Sequence, residues 1–225
     1  MQSISGTFLY YSRSADPCIL PTLNDIASEQ AKSTTDTSEK CDMLMDYLHT
    51  NPNAAIRYHA SDMILKVVSD AAFLVLPKPR SHAAAIYHLG CINNNKQNGL
   101  IDVLCQTTKN VVPSASEAEM GDIYLGAQHC CPIRIACIEL VHPQPANGTP
   151  FETDNGTAHG ILASNMRSKI FKAFDMRYWW TKERIKQNTF DLIWAVEKNN
   201  LADYFTKHHL PWHRKNKCGT CTCKK

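Results

Sequence analysis

The stretch Ile64-Leu-Lys-Val-Val-Ser-Asp70-Ala-Ala-Phe-Leu-Val-Leu76 is rich in Val, Leu and Phe and runs into Pro77-Lys-Pro79. Branched and aromatic residues closed by prolines predict a strand followed by a turn. Ala83 to Leu89 reads as a second strand, closed by Gly90. The run Asn93-Asn-Asn-Lys-Gln-Asn-Gly99 is a turn signal, and Leu100 to Gln106 reads as a third strand. Three consecutive strands joined by turns predict an antiparallel meander. Asp70 is the exception to its own strand. A carboxylate between Val67-Val68 and Ala71-Ala72-Phe73 is costly to bury unpaired and needs a reason.

Downstream, Ser114 with Glu117 three residues later fits a capping box, opening a helix to about Cys130. Pro132 is expected to break or kink it, with Ile133 to Val141 a possible continuation. His142 to Pro150 reads as a linker, and Pro150-Phe-Glu-Thr153 as a short strand. Helices follow up to about Ala163 and over Phe174 to Gln187, then a strand over Phe190 to Val196 and a short helix over Leu201 to His208. The order is β-β-β-α-β-α-α-β-α.

Upstream, residues 1–60 read as helical. Leu23, Ile26 and Ala27 share one helical face, and Cys41, Leu44, Met45 and Leu48 repeat the spacing more cleanly. Asp36, Thr37 and Ser38 offer N-caps for that second helix, Ala31 to Thr37 reads as a loop, and Asn51-Pro52 is a stop. Helices this short need something to lean on.

The 225 residues are 44% hydrophobic and 20% charged, which excludes a wholly disordered or collagen-like chain. A net charge of +3 is too small to argue nucleic-acid binding by itself. No apolar run approaches the roughly 18 residues of a membrane helix, so the expectation is a soluble chain with no membrane partner. No secretory signal pattern opens the sequence, and isolated cysteines in apolar surroundings suggest free thiols in a reducing, intracellular setting.

Four carboxylates stand out: Asp70 in the first strand, Glu119 early in the first long helix, Asp154 at a strand end and Asp203 in the first turn of the last helix. Asp154 and Asp203 could simply cap or complement a helix, and Glu119 could be solvated. The element order, however, can gather all four at one end of a mixed sheet. Converging carboxylates repel and need divalent cations to coexist. Hard oxygen ligands suit Mg²⁺ or Mn²⁺. Two such ions favour in-line phosphodiester displacement, one activating water and the other stabilising the leaving 3′ oxygen.

The element order, with Asp, Glu, Asp, Asp, resembles the ribonuclease H fold. More narrowly, Ser69-Asp70-Ala71, Ser114-Ala-Ser-Glu-Ala-Glu119, Thr153-Asp154-Asn155, Lys172-Ala-Phe-Asp175-Met-Arg177-Tyr and Leu201-Ala-Asp203-Tyr-Phe-Thr-Lys207 resemble the ribonuclease H domain of copia-type LTR-retrotransposon polyproteins. Gly6-Thr-Phe-Leu-Tyr-Tyr with Asp16-Pro17 resembles the segment that joins a reverse transcriptase to it. The resemblance reaches to about His209.

It implies an α/β fold of the ribonuclease H-like type, a mixed five-stranded sheet whose first three strands are antiparallel, with flanking helices. A helical connection (1–60) would precede the domain (61–210), and a basic Cys-containing tail (211–225), expected to be disordered, would follow. The implied activity is hydrolysis of the RNA strand of RNA:DNA hybrids with two Mg²⁺ ions, or Mn²⁺. Asp70 would bridge the metals, with Glu119 rather than Glu117 as the second ligand and Asp154 and Asp203 as the third and fourth. Asn155, Arg177, Lys182 and Arg184 would contact substrate. The implied partner is the reverse transcriptase domain, in a cytoplasmic particle or the nucleus. The loop histidine of cellular ribonucleases H has no counterpart in Ala195-Val-Glu-Lys-Asn-Asn200, nor in the copia-type pattern.

Two other readings stand beside this one. The chain could be an inert retroelement remnant, at most a hybrid-binding or interaction module. A strand-transfer enzyme of the same fold superfamily fits less well, because the Leu201 to Lys207 signature argues against it. Separately, Cys218, Cys221 and Cys223 with the nearby histidines could hold zinc, although a terminal Lys-rich tail is more often unstructured. Trp179-Trp180 and Tyr178 could stack on bases, although helical spacing more often means core.

Overall fold

A computed structural model describes residues 2–76, 80–94, 97–109, 112, 114–163, 175–196 and 200–207. Three helices come first, α1 (Gln2–Ser14), α2 (Leu20–Glu29) and α3 (Thr35–Thr50). Then follow β1 (Ile64–Leu76), β2 (Arg80–Gly90), β3 (Leu100–Thr107), α4 (Ala115–Glu139), β4 (Thr149–Thr153), α5 (Gly156–Ala163), α6 (Asp175–Lys186), β5 (Phe190–Trp194) and α7 (Asp203–Thr206). The expected turn at 77–79, Phe174 and the Cys218/Cys221/Cys223 tail lie outside the described residues.

The five strands form one sheet in the order β3-β2-β1-β4-β5. β1 pairs antiparallel with β2 and β2 with β3, whereas β1 with β4 and β4 with β5 are parallel. This is the ribonuclease H-like fold, a mixed five-stranded sheet with flanking helices. The reason lies in the connections. Short connections suffice between antiparallel neighbours, but a parallel strand needs a crossover, and α4 supplies it.

Successive side chains of a strand point to opposite faces, so the sheet builds two cores. On one face Leu65, Val67, Ala85, Tyr87, Phe151 and Leu192 pack against α4 and α5. Ala83, Ala84 and Ala85 are fully buried, and the small side chain of Ala85, on this face, lets α4 come close at Gly126. On the other face Val68, Ala84, Ile86 and Val103 meet Cys18 and Leu20 from the N-terminal segment and Tyr204 and Phe205 from α7. Of the two short helices, α2 leans on the sheet, and α3 leans on α2 through Leu23, Ile26, Cys41 and Leu44. Asn24 Nδ2 donates to the Cys105 carbonyl, and Arg13 pairs with Asp102 on β3.

Several local expectations are corrected. α3 is capped by Thr34, not by Asp36, Thr37 or Ser38: Thr34 Oγ1 accepts from Thr37 N at 3.4 Å, and Thr37 Oγ1 accepts from Thr34 N at 3.1 Å. This reciprocal box outcompetes the later candidates because Thr37 also donates to Glu29 at 2.7 Å, tying α3 to α2. The expected loop from Ala31 is shortened by a 3₁₀ turn over Gln30–Lys32.

α4 runs unbroken through Pro132. Proline removes the bond to the Gln128 carbonyl, but both residues face solvent, while Cys130 and Cys137 stay buried toward the sheet on either side. Packing of that face outweighs one lost hydrogen bond. α7 has four residues, shorter than the helix expected over Leu201 to His208. Among the cysteines, Cys41, Cys91, Cys105, Cys130, Cys131 and Cys137 are free, whereas Cys18 is disulfide-bonded, contrary to the free-thiol expectation.

Candidate active site

β1 carries Asp70, in register with Ala84 of β2. The parallel register of β1 and β4 pairs Val67 with Phe151 and Val68 with Glu152. Continued by two residues, it sets Asp154 beside Asp70. α4 then brings Glu119 from above: Ser114 Oγ accepts from Glu117 N at 3.3 Å, which fixes the start of the helix. The Glu117 carboxylate meets the Ser114 hydroxyl at 3.5 Å and so belongs to the cap. Ligand oxygens of Asp70, Glu119 and Asp154 all lie within 4.8 Å of one another.

Asp203 stands at the side of this group rather than within it. It repels the Asp70 charge, and its own carboxylate receives Lys207 Nζ one turn along. Asn200 anchors the approach to α7. Its Nδ2 donates to Ser69 O at 2.9 Å, and its Oδ1 accepts from Ala202 N at 2.9 Å. Thr206 Oγ1 donates to Asp70 Oδ2. Sequence alone does not mark Asn200 or Thr206 as functional, although both lie in or beside the Leu201–Lys207 motif.

Burial dominates the electrostatics. Asp70 is 3% exposed and its carboxyl is pushed up to about 6, by desolvation first and by Asp154 and Asp203, against the hydrogen bond from Thr206 and the Lys207 charge. Glu119 is 6% exposed and pushed up to about 9, by desolvation and then by Asp70 and Asp154. Its Oε2 is buried with no hydrogen-bond partner among the described residues. A further acid, Asp122, lies one turn past Glu119 and is fully buried. Desolvation, then Glu119 and Asp70, hold its carboxyl well above the ordinary range. Ser69 and the Ala84 backbone favour its charge, and neither oxygen has a partner of normal hydrogen-bond geometry among the described residues. The sequence signal was available: an acid three residues after Glu119 shares its helix face.

Hard oxygens from three elements, an orphaned Glu119 Oε2 and under-neutralised carboxyls fit a divalent cation of the Mg²⁺ or Mn²⁺ kind. The residues expected to contact substrate have the following partners within the chain. Asn155 caps α5, its Oδ1 accepting from Ala158 N at 2.9 Å. Lys182 is buried and donates to Tyr178 OH at 2.9 Å. Arg177 lies over the Tyr124 ring and Arg184 over the Trp180 ring, at 5.6 and 5.4 Å from the centroids. Trp180 packs edge-on to Tyr124, while its neighbour Trp179 is exposed.

The strand order and register are those of an RNase H-like fold, and three carboxylates meet at one end of its sheet. No protein-family model matches the chain, and no curated protein matches it. Among solved structures, it is similar to the N-terminal RNase H domain of a Mycobacterium tuberculosis protein, at 14% identity over 63% of this chain and 91% of that one, with a TM-score of 0.41. An RNase H1 isolated from compost by a metagenomic approach gives 9% identity, 64% and 92% coverage and a TM-score of 0.45. RNase H1 of the halophilic archaeon Halobacterium salinarum gives 11%, 64%, 91% and 0.37. The fold assignment rests on strand order and register, not on these overlaps.

Proposed function

We propose that the chain is a metal-dependent endoribonuclease that hydrolyses the RNA strand of RNA:DNA hybrids, derived from a copia-type LTR-retrotransposon polyprotein. The observation that carries this reading is the meeting of Asp70, Glu119 and Asp154 ligand oxygens, from three separate elements, within 4.8 Å. The ordered motifs around these residues and around Asp203 give the narrower origin. Two Mg²⁺ ions, with Mn²⁺ as a substitute, would activate water and stabilise the leaving 3′ oxygen.

Asp70, Glu119 and Asp154 would hold the cations, and Asp203 would join them once Lys207 turns away. Thr206 fixes the Asp70 carboxylate, and Asn200 keeps α7 on β1. Basic groups near α6 would add salt-dependent attraction to phosphates. Residues 1–60 would be the connection to a reverse transcriptase domain, the expected intramolecular partner, in an intracellular setting. One observation favours the alternative of an inert hybrid-binding module: Lys207 already occupies the Asp203 carboxylate.

End-labelled RNA:DNA hybrid, incubated with the chain in Mg²⁺ or Mn²⁺ beside Asp70→Asn, decides between them. RNA cleavage by the native chain alone is the expected result. A folded chain that binds hybrid and cuts nothing supports the module.

A further inference from the structure

β5 is an edge strand, and its register sets Trp194 beside Thr153, the residue before Asp154. Alternation gives Trp194 the same face as Phe190 and Leu192, both buried in the core. At Trp194 that core has ended, and the residue is 53% exposed. The ring is nonetheless fixed. Its Nε1–H donates to the Asp154 carbonyl at 3.0 Å. It also lies over Gly156, where a Cβ would stand 3.4 Å from Nε1. A large aromatic surface is therefore held open at the rim of the carboxylate cluster, bonded to the backbone of one of its members.

We propose that Trp194 is a nucleotide-binding platform, stacking on the base or ribose next to the phosphate that the cluster receives. This rests on the reading of the chain as a hybrid nuclease and deepens it. An indole whose two side-chain torsions are restrained by a hydrogen bond loses little entropy when a base settles on it. Stacking is indifferent to base identity, which suits a nuclease that must act along any sequence. Because the same ring holds the Asp154 carbonyl, a nucleotide seated on it has a fixed offset from the carboxylates. A purely structural indole, closing the start of α5, would make the same hydrogen bond and contact no substrate.

The full chain, Trp194→Ala and Trp194→Phe are compared for binding of fluorescein-labelled RNA:DNA hybrid in Ca²⁺ and for cleavage in Mg²⁺. Loss of one base–aromatic stack predicts about tenfold weaker binding and a raised KM for Trp194→Ala. Trp194→Phe keeps a ring but no N–H, so it retains most of the affinity and loses chiefly kcat. Hybrid also quenches an emission component present in the wild type and missing in Trp194→Phe. Wild-type affinity in Trp194→Ala, or equal loss in both variants, overturns the platform while leaving the nuclease reading in place. If the wild type itself binds no hybrid, both fall together. Should Trp194→Ala not fold, the emission comparison decides alone: quenching of the Trp194 component supports the platform, and its absence rejects it.

Discussion

Asp70 sits where desolvation alone would keep its proton, and a neighbouring hydroxyl partly reverses this. Thr206 Oγ1 donates to Asp70 Oδ2, which favours the ionised form. Removing it in Thr206→Val raises the Asp70 carboxyl above its present value of about 6. A net hydrogen bond of about 1 kcal/mol corresponds to ~0.7 pH unit. Only the ionised carboxyl holds a cation, so the acidic limb of the pH–rate profile is expected to move up by that amount at fixed Mg²⁺. An unmoved limb shows that another group sets it. Asp70 itself was legible from sequence because a lone carboxylate interrupts an apolar strand. Asn200 and Thr206 were not, because their partners on β1 are 131 and 136 residues away. Asp122 shares the helix face of Glu119, but an acid on a helix is ordinary until the sheet beneath it is known.

α4 is the element that aims Glu119, and its height above the sheet is set at Gly126. A Cβ there would come to 2.9 Å from Phe151 Cζ and 3.3 Å from Ala85 Cβ. Tyr87 OH also donates to the Gly126 carbonyl at 2.9 Å, so the helix cannot simply rise. Gly126→Ala gains up to about 1 kcal/mol of helix propensity. Overpacking a close contact costs about 1–3 kcal/mol, and the net is expected to be destabilising. Urea unfolding measures it; a stabilised variant would mean that α4 yields, and Glu119 with it. The strands and the start of α4 could be read from sequence because runs of branched residues closed by turn residues, and a serine cap, are local signals. The unbroken passage through Pro132 could not, since the packing of Cys130 and Cys137 toward the sheet is tertiary. The cap at Thr34 was hidden likewise: its advantage over Asp36 comes from Glu29 on the preceding helix.

Taken whole, the sheet has one face closed by α4 and α5 and the other by the N-terminal segment with α7. Tyr204 OH donates to the Cys18 carbonyl at 3.2 Å, so the helix carrying Asp203 and Thr206 rests on residues far upstream. Deleting residues 1–60 is expected to expose Val68, Ile86 and Phe205, abolish cooperative unfolding and raise dye binding to apolar surface; a truncated chain with an intact transition would show that α7 needs no such support. The intact molecule also stores protons. Asp70 is raised to about 6 and Glu119 to about 9, against ordinary values near 4 when unfolded. Above those ordinary values the folded state binds more protons than the unfolded one, so its stability falls as pH rises. His88 opposes this at low pH. Burial lowers it to about 4, so folding gains stability as pH rises from there through the ordinary histidine value. The buried thiols Cys105 and Cys130, raised to about 12, add their own loss once unfolded thiols ionise. Between about pH 6.5 and about pH 8 the carboxylates therefore act with least interference. Without divalent ions the melting temperature is expected to fall across that window, and saturating Mg²⁺ to flatten the fall by neutralising the cluster. Glu119→Gln should lose most of the slope, because an amide has no proton to surrender. Equal slopes in Glu119→Gln and wild type would place the stored proton elsewhere, with Asp122 the next group to replace.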